Sequence, residues 1–393
     1  MGVLISRIMV RGFCFVQMKF QAANNSGHAG AMLQARQLGK ELYVGVHSDE
    51  EILENKGPVV MHLAERVIAV QGCKWCTECV PNAPYVTDPD FMKAHGCNYV
   101  VHGDDITTDA NGEDCYRVVK DLGMFLVVKR TPNISTTDLV GRMLVLTKSH
   151  HIPSITPYDW LSYKTDKESL ALHTLLLNDS VERFQMYSSA EDGLSPGSAV
   201  FVYTPEDQKL NALVNPESQK WSNSPKIYYI DGGFDLFNPG HIIALRMVKE
   251  MAAKEDALVL VGLNDDTTIN KAKGLNFPVM NLFERSLCVL QSKYVDGLIL
   301  GVPSVTSLQF LKTIPGEVVK VCHGPTADVD SYYSEVKAAG LYLELGPHEY
   351  DDMSTEVIIN RVLDNRKSYE ERQRKKGWKS EIEKQLLEQE KTA

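Results

Sequence analysis

The chain has 393 residues, a formal net charge of −10, 44% hydrophobic and 23% charged side chains. That length allows two domains with cores of their own. The acidic balance argues against a nucleic-acid-binding surface, which needs a basic face, and no apolar run approaches the ~18 residues of a membrane span. Eight cysteines lie at irregular spacings without a convincing signal peptide, which points to reduced thiols and a cytoplasmic location.

The first 40 residues carry Arg7, Arg11, Lys19, Arg36 and Lys40 and no acidic residue. A transit peptide fits this loosely, and Met1-Gly2 with Ser6 fits a myristoylation pattern as loosely. An ordinary strand over residues 13–20 is the competing reading.

From residue 25 onward the chain repeats itself. Asn25-Ser26-Gly27-His28 opens a helix, as Asn238-Pro239-Gly240-His241 does. Gly45 and Gly262 each end an apolar run, and Lys56-Gly57 falls on Lys273-Gly274 at the same distance beyond them. Glu65-Arg66 matches Glu284-Arg285, His102-Gly103 matches His323-Gly324, and Ser135-Thr136 matches Ser354-Thr355. One βα domain has been duplicated. In each copy short apolar strands, expected at 43–46, 99–101 and 125–128 and again at 258–261, 297–300 and 318–322, alternate with helix-period segments. That alternation predicts a parallel sheet covered by helices on both faces.

Residues 151–225 have no counterpart in the repeat and carry Pro, Ser and Asn clusters around one helix-like run, 167–183. They read as a linker with some structure. The expected division is a first domain over 1–150 with an atypical leader 1–24, a linker over 151–225, a second domain over 226–364, and a charged helical tail over 365–393.

The most informative stretch is 227–247. An aromatic-rich apolar run at 227–230 reads as a buried strand. It ends in the turn Asp231-Gly232-Gly233-Phe234-Asp235, after which Asn238 caps a helix, Pro239 suits its first turn, and His241 adds a donor. A strand, a glycine turn and a helix N-terminus converge backbone N–H groups on one point, and phosphate is the natural ligand. The repeated groups gathered at one sheet edge are a glycine turn with a histidine (Gly233, Phe234, Asn238, Gly240, His241; His28 in the first copy), a Lys-Gly (Lys56, Lys273), a His-Gly (His102-Gly103, His323-Gly324) and a Ser-Thr (Ser135-Thr136, Ser354-Thr355). All serve anionic oxygens, and transfer at phosphorus needs mainly alignment and charge neutralisation. Arg130 would add a guanidinium clamp in the first copy.

These residues resemble the cytidylyltransferase family, whose members carry H-x-G-H near the N-terminus and R-T-x-x-[IV]-S-T-T near the end. Arg130-Thr131-Pro132-Asn133-Ile134-Ser135-Thr136-Thr137 fits the second motif fully. The resemblance covers the chain apart from leader, linker and tail, and its tandem form is similar to the members that act on phosphoethanolamine. It implies an α/β chain of two tandem Rossmann-like nucleotidyltransferase domains with parallel sheets. It implies attack by phosphoethanolamine on the α-phosphorus of CTP, release of pyrophosphate, and Mg2+ bridging the leaving phosphates, with no dedicated metal cage. His28 and His241 would contact the CTP phosphates, Lys56 and Lys273 would neutralise charge, and Arg130, Ser135 and Thr136 would grip the triphosphate. No nucleic acid and no transmembrane segment enter this expectation, and self-association stays open.

Both copies depart from the pattern. The first motif histidine is replaced by Asn25 and Asn238, which donate but carry no charge. The first copy lacks the aspartate-glycine turn, and the second lacks the arginine, keeping only Met353-Ser354-Thr355-Glu356. An active enzyme is the expectation; a nucleotide-binding regulatory relative, or a transferase for another phosphate such as phosphocholine, are the alternatives. Cys73, Cys76 and Cys79 form C-x-x-C-x-x-C, which reads as packing rather than as a metal site because no fourth ligand is evident. His150-His151 reads as a surface pair.

Overall fold

Short apolar segments that are buried on both faces pair best in parallel sheets sheltered by helices, and the chain builds two of them. The computed structural model describes residues 13–18, 26–103, 107–129, 136–144, 147–152, 180–215, 219–222, 224–325, 331–365 and 367. The first copy runs β1 (Phe13–Met18), α1 (Ser26–Leu38), β2 (Glu41–Val46), α2 (Asp49–Lys56), α3 (Leu63–Gln71) and β3 (Glu78–Pro81). It continues with α4 (Pro89–Ala94), β4 (Cys97–Gly103), α5 (Arg117–Asp121), β5 (Phe125–Val128) and α6 (Thr136–Leu144). Helix α7 (Ser180–Tyr187) and the strands β6 (Ala199–Thr204) and β7 (Lys209–Val214) follow. The second copy has β8 (Lys226–Gly232), α8 (Pro239–Ala253), β9 (Leu258–Leu263), α9 (Asp266–Lys273), α10 (Leu282–Leu290) and β10 (Gly297–Leu300). It closes with α11 (Leu308–Leu311), β11 (Glu317–His323), α12 (Ser334–Ala338), β12 (Tyr342–Glu344) and α13 (Thr355–Asp364).

The sheets have orders β3-β2-β1-β4-β5 and β12-β11-β8-β9-β10-β6-β7. Read from β1 and β8 outward, the first five strands of each copy take the same places, all parallel. The order reverses at β1 and at β8, and at such a switch point the carboxyl ends of the strands leave a crevice. All six expected strands are present, and so is one within 13–20. The linker expectation is corrected: β6 pairs with β10 and β7 returns antiparallel on β6, so residues 199–214 extend the second sheet. Every residue of β6 is buried, which drives this run into the sheet. Of the helix-like run at 167–183, only residues from 180 onward lie among those described; most of the tail lies outside them.

The copies share a core. Alternate residues of each central strand face opposite ways, so Tyr228 and Ile230 join one cluster and Ile227 and Tyr229 another. The first cluster runs without a break from Met32, Ala69 and Trp75 of one copy to Leu245, Phe283 and Leu287 of the other. Helix α8 packs on α3 and α1 on α10, with α6 against α13. At the seam Cys73 bridges to Ser292, and two hydrogen bonds mirror each other: Lys74 N to Gln291 O at 2.9 Å and Lys293 N to Gly72 O at 3.0 Å. Cys73 is buried and Cys76 and Cys79 pack against the same cluster. The His150-His151 expectation is also corrected. His150 is buried and its Nε2 lies 2.8 Å from the Pro278 carbonyl, because residues 147–152 run against the second copy. Among the described residues no helix is long and apolar enough to cross a membrane.

Lys74 itself is 7% exposed, and its Nζ has no hydrogen-bond partner among the described residues. Burial lowers its pKa to about 7. The unfolded chain therefore holds a proton that the folded chain releases as pH rises through about 7, so this group makes stability increase with pH up to its unfolded pKa near ~10.4. The Cys73 thiol, pushed up to about 11 by burial, acts in the opposite sense at higher pH. Denaturant unfolding near pH 7 and near pH 8.5 should show higher stability at the upper value, and Lys74→Met should shrink that difference. An unchanged difference in the variant would mean the amine is hydrated in the folded state.

Candidate functional site

Strand β8 is buried from Ile227 to Asp231, so its end delivers a turn to the crevice. Two carboxylates flank that turn, and both are engaged by protein donors. Asp231 accepts hydrogen bonds from Tyr229 (3.1 Å), Thr306 (2.6 Å) and the Tyr333 hydroxyl. Burial raises its carboxyl above the ordinary range against the pull of these donors. Asp235 accepts three backbone N–H groups, from Val279 at 2.8 Å, Met280 at 2.9 Å and Leu236 at 3.0 Å. Phe234 and Leu236 hold φ of 49° and 45°, a left-handed conformation that costs non-glycine residues energy and persists only when the surroundings enforce it. The Asp235 bonds supply that enforcement. Buried Arg285 adds to it, donating to the carbonyls of Gly233 (2.6 Å), Asn264 (2.8 Å) and Met280 (3.0 Å) and to Asp266 (2.7 Å).

Helix α8 begins directly after this turn. Asn238 Oδ1 accepts from Gly240 N (2.9 Å) and His241 N (3.3 Å), and His241 Nδ1 accepts from Asn238 N at 3.3 Å. An accepting Nδ1 places the imidazole proton on Nε2, leaving a neutral ring with one donor. The ring stacks on Phe237 (5.7 Å, 6°) and lies 5.2 Å from Phe234. Burial first, and Lys273 second, lower its pKa to about 4. At neutral pH His241 is therefore a hydrogen-bond donor and not a cation. Asn238 is fully buried, and its Nδ2 has no partner among the described residues. An acceptor bound at this helix start would satisfy it.

Lys273 ends α9, and Gly274 follows at φ 73°, a conformation that explains the Lys-Gly pair. Lys56-Gly57 repeats it in the first copy, with Gly57 at φ 89°. Lys273 Nζ lies 3.0 Å from Glu356 Oε1, with both side chains about half exposed. Ser354 caps α13 by accepting from Val357 N at 3.3 Å, and Thr355 donates to the Asp235 carbonyl at 3.1 Å. The structure thus brings Gly233, Phe234, Asn238, Gly240, His241, Lys273, Ser354 and Thr355 to one end of the second sheet. His323-Gly324 closes the adjacent β11, its ring 5.2 Å from Tyr333 and its Nδ1 2.8 Å from the Gly324 carbonyl.

The first copy repeats part of this at the matching end of its own sheet. His28 lies in the first turn of α1, Lys56 ends α2, and His102 sits 4.7 Å from Tyr116 with Nδ1 3.2 Å from the Gly103 carbonyl. Arg130, Ser135 and Asn25 lie outside the described residues, and Thr136 opens α6. The residues form two sets, one per sheet. Three contributions escaped the sequence reading. Asp235 is the hub of the turn. Glu356 places a carboxylate where the first copy has Thr137. Gln34 on α1 pins Lys129, the neighbour of Arg130, by donating to its carbonyl at 2.8 Å and accepting its N–H at 3.1 Å. Glu356 was visible as an aligned difference between the copies; the other two depend on contacts distant in sequence.

A β-carbon on Gly240 would lie 2.5 Å from the Tyr350 carbonyl and 3.1 Å from Asn238 Oδ1. Gly240→Ala should therefore destabilise the chain by about 1–3 kcal/mol through overpacking, read as a fall in thermal midpoint. Gly324→Ala, which meets nothing within 4 Å, is the comparison and should melt with the wild type. Equal midpoints for both variants would show that the 350–353 segment yields freely.

Residues 25–142 and 229–361 each match a family described as cytidylyltransferase-like. A Mus musculus protein named ethanolamine-phosphate cytidylyltransferase is 37% identical over 89% of this chain and 85% of its own length. Its namesake from Dictyostelium discoideum is 38% identical over 94% of both chains. Choline-phosphate cytidylyltransferase A of Mus musculus is 42% identical, but over 30% of this chain and 33% of its own.

Proposed function

The chain belongs to the cytidylyltransferase-like family, and from that premise we propose that it transfers the cytidylyl group of CTP to phosphoethanolamine, giving CDP-ethanolamine and pyrophosphate. One observation carries the choice of substrate. Similarity to ethanolamine-phosphate cytidylyltransferases runs through both copies, whereas similarity to the choline enzyme stops within 30% of the chain. In the reaction an oxygen of phosphoethanolamine bonds to the α-phosphorus as the bond from that phosphorus to the β-phosphate bridge breaks, and pyrophosphate carries the electron pair away. Such a transition state asks the protein for alignment and charge neutralisation.

In the second copy the start of α8 offers the His241 Nε2–H and the Asn238 amide, supplemented by the helix dipole. Lys273 supplies the positive charge by leaving Glu356, a partner of little energetic weight because exposed ion pairs contribute only about 0–1 kcal/mol. Ser354 and Thr355 face the same turn. In the first copy His28, Lys56, His102-Gly103, Arg130, Ser135 and Thr136 take the corresponding parts. Asp231 and Asp235 are each engaged by three protein donors and buried, which does not suit a resident metal. Mg2+ enters as the counter-ion of CTP and belongs to the substrate. The reduced-thiol composition supports a cytoplasmic setting.

The Lys273–Glu356 pair favours a second reading, in which the second copy binds nucleotide and the first performs the transfer. Pyrophosphate release by the full chain with Mg2+, CTP and phosphoethanolamine separates the two, with phosphocholine as substrate control. Turnover should collapse by a hundredfold or more, on the order of losing one transition-state donor, in His241→Ala and in Lys273→Ala, with the thermal midpoint little changed in Lys273→Ala, whose side chain is about half exposed. Collapse in His28→Ala alone would move the chemistry to the first copy. No turnover by the wild type, with CTP still bound, would make the chain a nucleotide-binding relative. Glu356→Thr, which restores the first-copy residue, should tighten CTP binding by freeing Lys273; unchanged affinity would show that the pair does not oppose the ligand.

A further inference from the structure

Two arginines outside both sets of candidate residues are paired alike. Arg142 on α6 meets Glu284 of α10 in a two-pronged pair, Nη1–Oε2 2.7 Å and Nη2–Oε1 3.0 Å, and donates to the Val279 carbonyl at 3.1 Å. Arg361 on α13 meets Glu65 of α3 at 2.8 and 2.9 Å and donates to the Val60 carbonyl at 3.3 Å. A spacing of 219 residues separates Arg142 from Arg361, Glu65 from Glu284, and Val60 from Val279. The two clamps are one arrangement, repeated across the seam in opposite directions.

Each clamp joins a helix of one copy to the other copy. Helices α6 and α13 are those that open on the Ser-Thr motif, and in both the arginine stands six residues, or about 9 Å of helix, beyond the opening threonine. The start of α13 lies at its own copy's turn, where Thr355 donates to the Asp235 carbonyl, and in both helices the arginine is held by the opposite copy. Both glutamates are fixed from behind: Glu284 Oε2 accepts from Asn281 N at 2.9 Å and Glu65 Oε2 from His62 N at 2.8 Å, each closing a capping box. The grip also extends past the pair. Val279, whose carbonyl receives Arg142, gives its N–H to Asp235, and Arg285, next to Glu284, holds the Gly233 carbonyl. The first-copy motif helix is thus tied to the hub of the second-copy turn.

The shared apolar core already holds the copies together, and a buried ion pair is a poor source of net stability. Its planar fork fixes direction. We propose that Arg142 and Arg361 are positioning residues: each sets the placement of its own copy's Ser-Thr helix start by anchoring that helix to the opposite copy, so neither nucleotide site is complete without the other domain. The proposal rests on the cytidylyl-transfer reading for its kinetic measurement and only on nucleotide binding for its titration.

The test uses the full chain, with Arg142→Met and Arg361→Met, calorimetric titration with Mg2+ and CTP, and steady-state pyrophosphate release. Loss of the clamp on the working copy should raise KM for CTP about tenfold and lower kcat, since a misplacement on the order of 1 Å is enough. KM for phosphoethanolamine should stay within about twofold if, as the cytidylyl-transfer reading has it, the Ser-Thr helix start serves the triphosphate alone. Arg142→Lys, which keeps the charge without the fork, should restore part of the CTP affinity. Lys74→Met is the seam control and should leave both KM values unchanged. If both arginine variants melt lower yet keep wild-type CTP affinity and both KM values, or lose affinity for both substrates equally, the clamps are only part of the interface. Should either Met variant fail to fold, Arg142→Lys and Glu284→Gln read the same quantities. Absence of turnover in the wild type would remove the transfer reading, and the CTP titration would still decide the clamp.

Discussion

Each sheet has a core of its own on its outer face, but neither closes its inner face alone. The helices that cover the inner face of each, α1 and α3 on one side and α8 and α10 on the other, bury that face against their counterparts. Side chains the size of Trp75 and Phe237 vanish into this seam, and each large apolar side chain buried contributes about 1.5–3 kcal/mol. The duplicated chain therefore behaves as a dimer with its two protomers joined end to end. Once the seam forms, the carboxyl ends of both sheets, the starts of the motif helices and the reciprocal backbone bonds around Cys73 and Ser292 are placed by the same pseudo-twofold relation.

Burial then dictates how charge is handled near the second crevice. Asp231 and Asp235 could not remain in the interior without donors, and each has three. Arg285 could not remain there without acceptors, and it has three carbonyls and a carboxylate. The acids thereby become parts of the scaffold, which is why the turn can hold Phe234 and Leu236 in the left-handed region. The polar groups at the start of α8 are neutral: the His241 ring and the Asn238 amide.

Much of this was legible in the sequence because duplication wrote it twice. The strands, the cap at Asn238 and the Lys-Gly pairs depend on local patterns, and a second copy separated them from chance. Gly57 and Gly274 have a simple physical reason, the positive φ that follows the lysine. What stayed hidden depends on partners distant in sequence. The all-buried run Ala199–Thr204 looks like a strand in isolation, but nothing local says that it joins β10 ahead of its own domain. His150 looks polar and exposed until residues 147–152 are placed against Pro278. The clamps were present as equal spacings of 219 residues, yet an arginine and a glutamate far apart acquire meaning only when the seam brings them together.

The substitution of asparagine for histidine at 238 follows from the same accounting. Its carbonyl oxygen is spent on two N–H groups of the helix start, which leaves Nδ2 buried without a partner among the described residues. Leaving such a donor unsatisfied costs about 1–3 kcal/mol, a cost that an anionic oxygen at the helix start would remove. Asparagine therefore keeps the binding half of a histidine's role and gives up the charge. His241, held neutral by burial, gives it up as well. With the motif arginine missing and Lys273 facing Glu356, the proposed function leaves the second crevice to draw its anion mainly through oriented dipoles, which act over a single turn of helix. The first copy keeps Arg130 ahead of its Ser-Thr pair and loses instead the aspartate that orders the turn. Each copy lacks what the other retains, and the reciprocal clamps provide the mechanical link through which an ordered turn in one can steady the motif helix of the other.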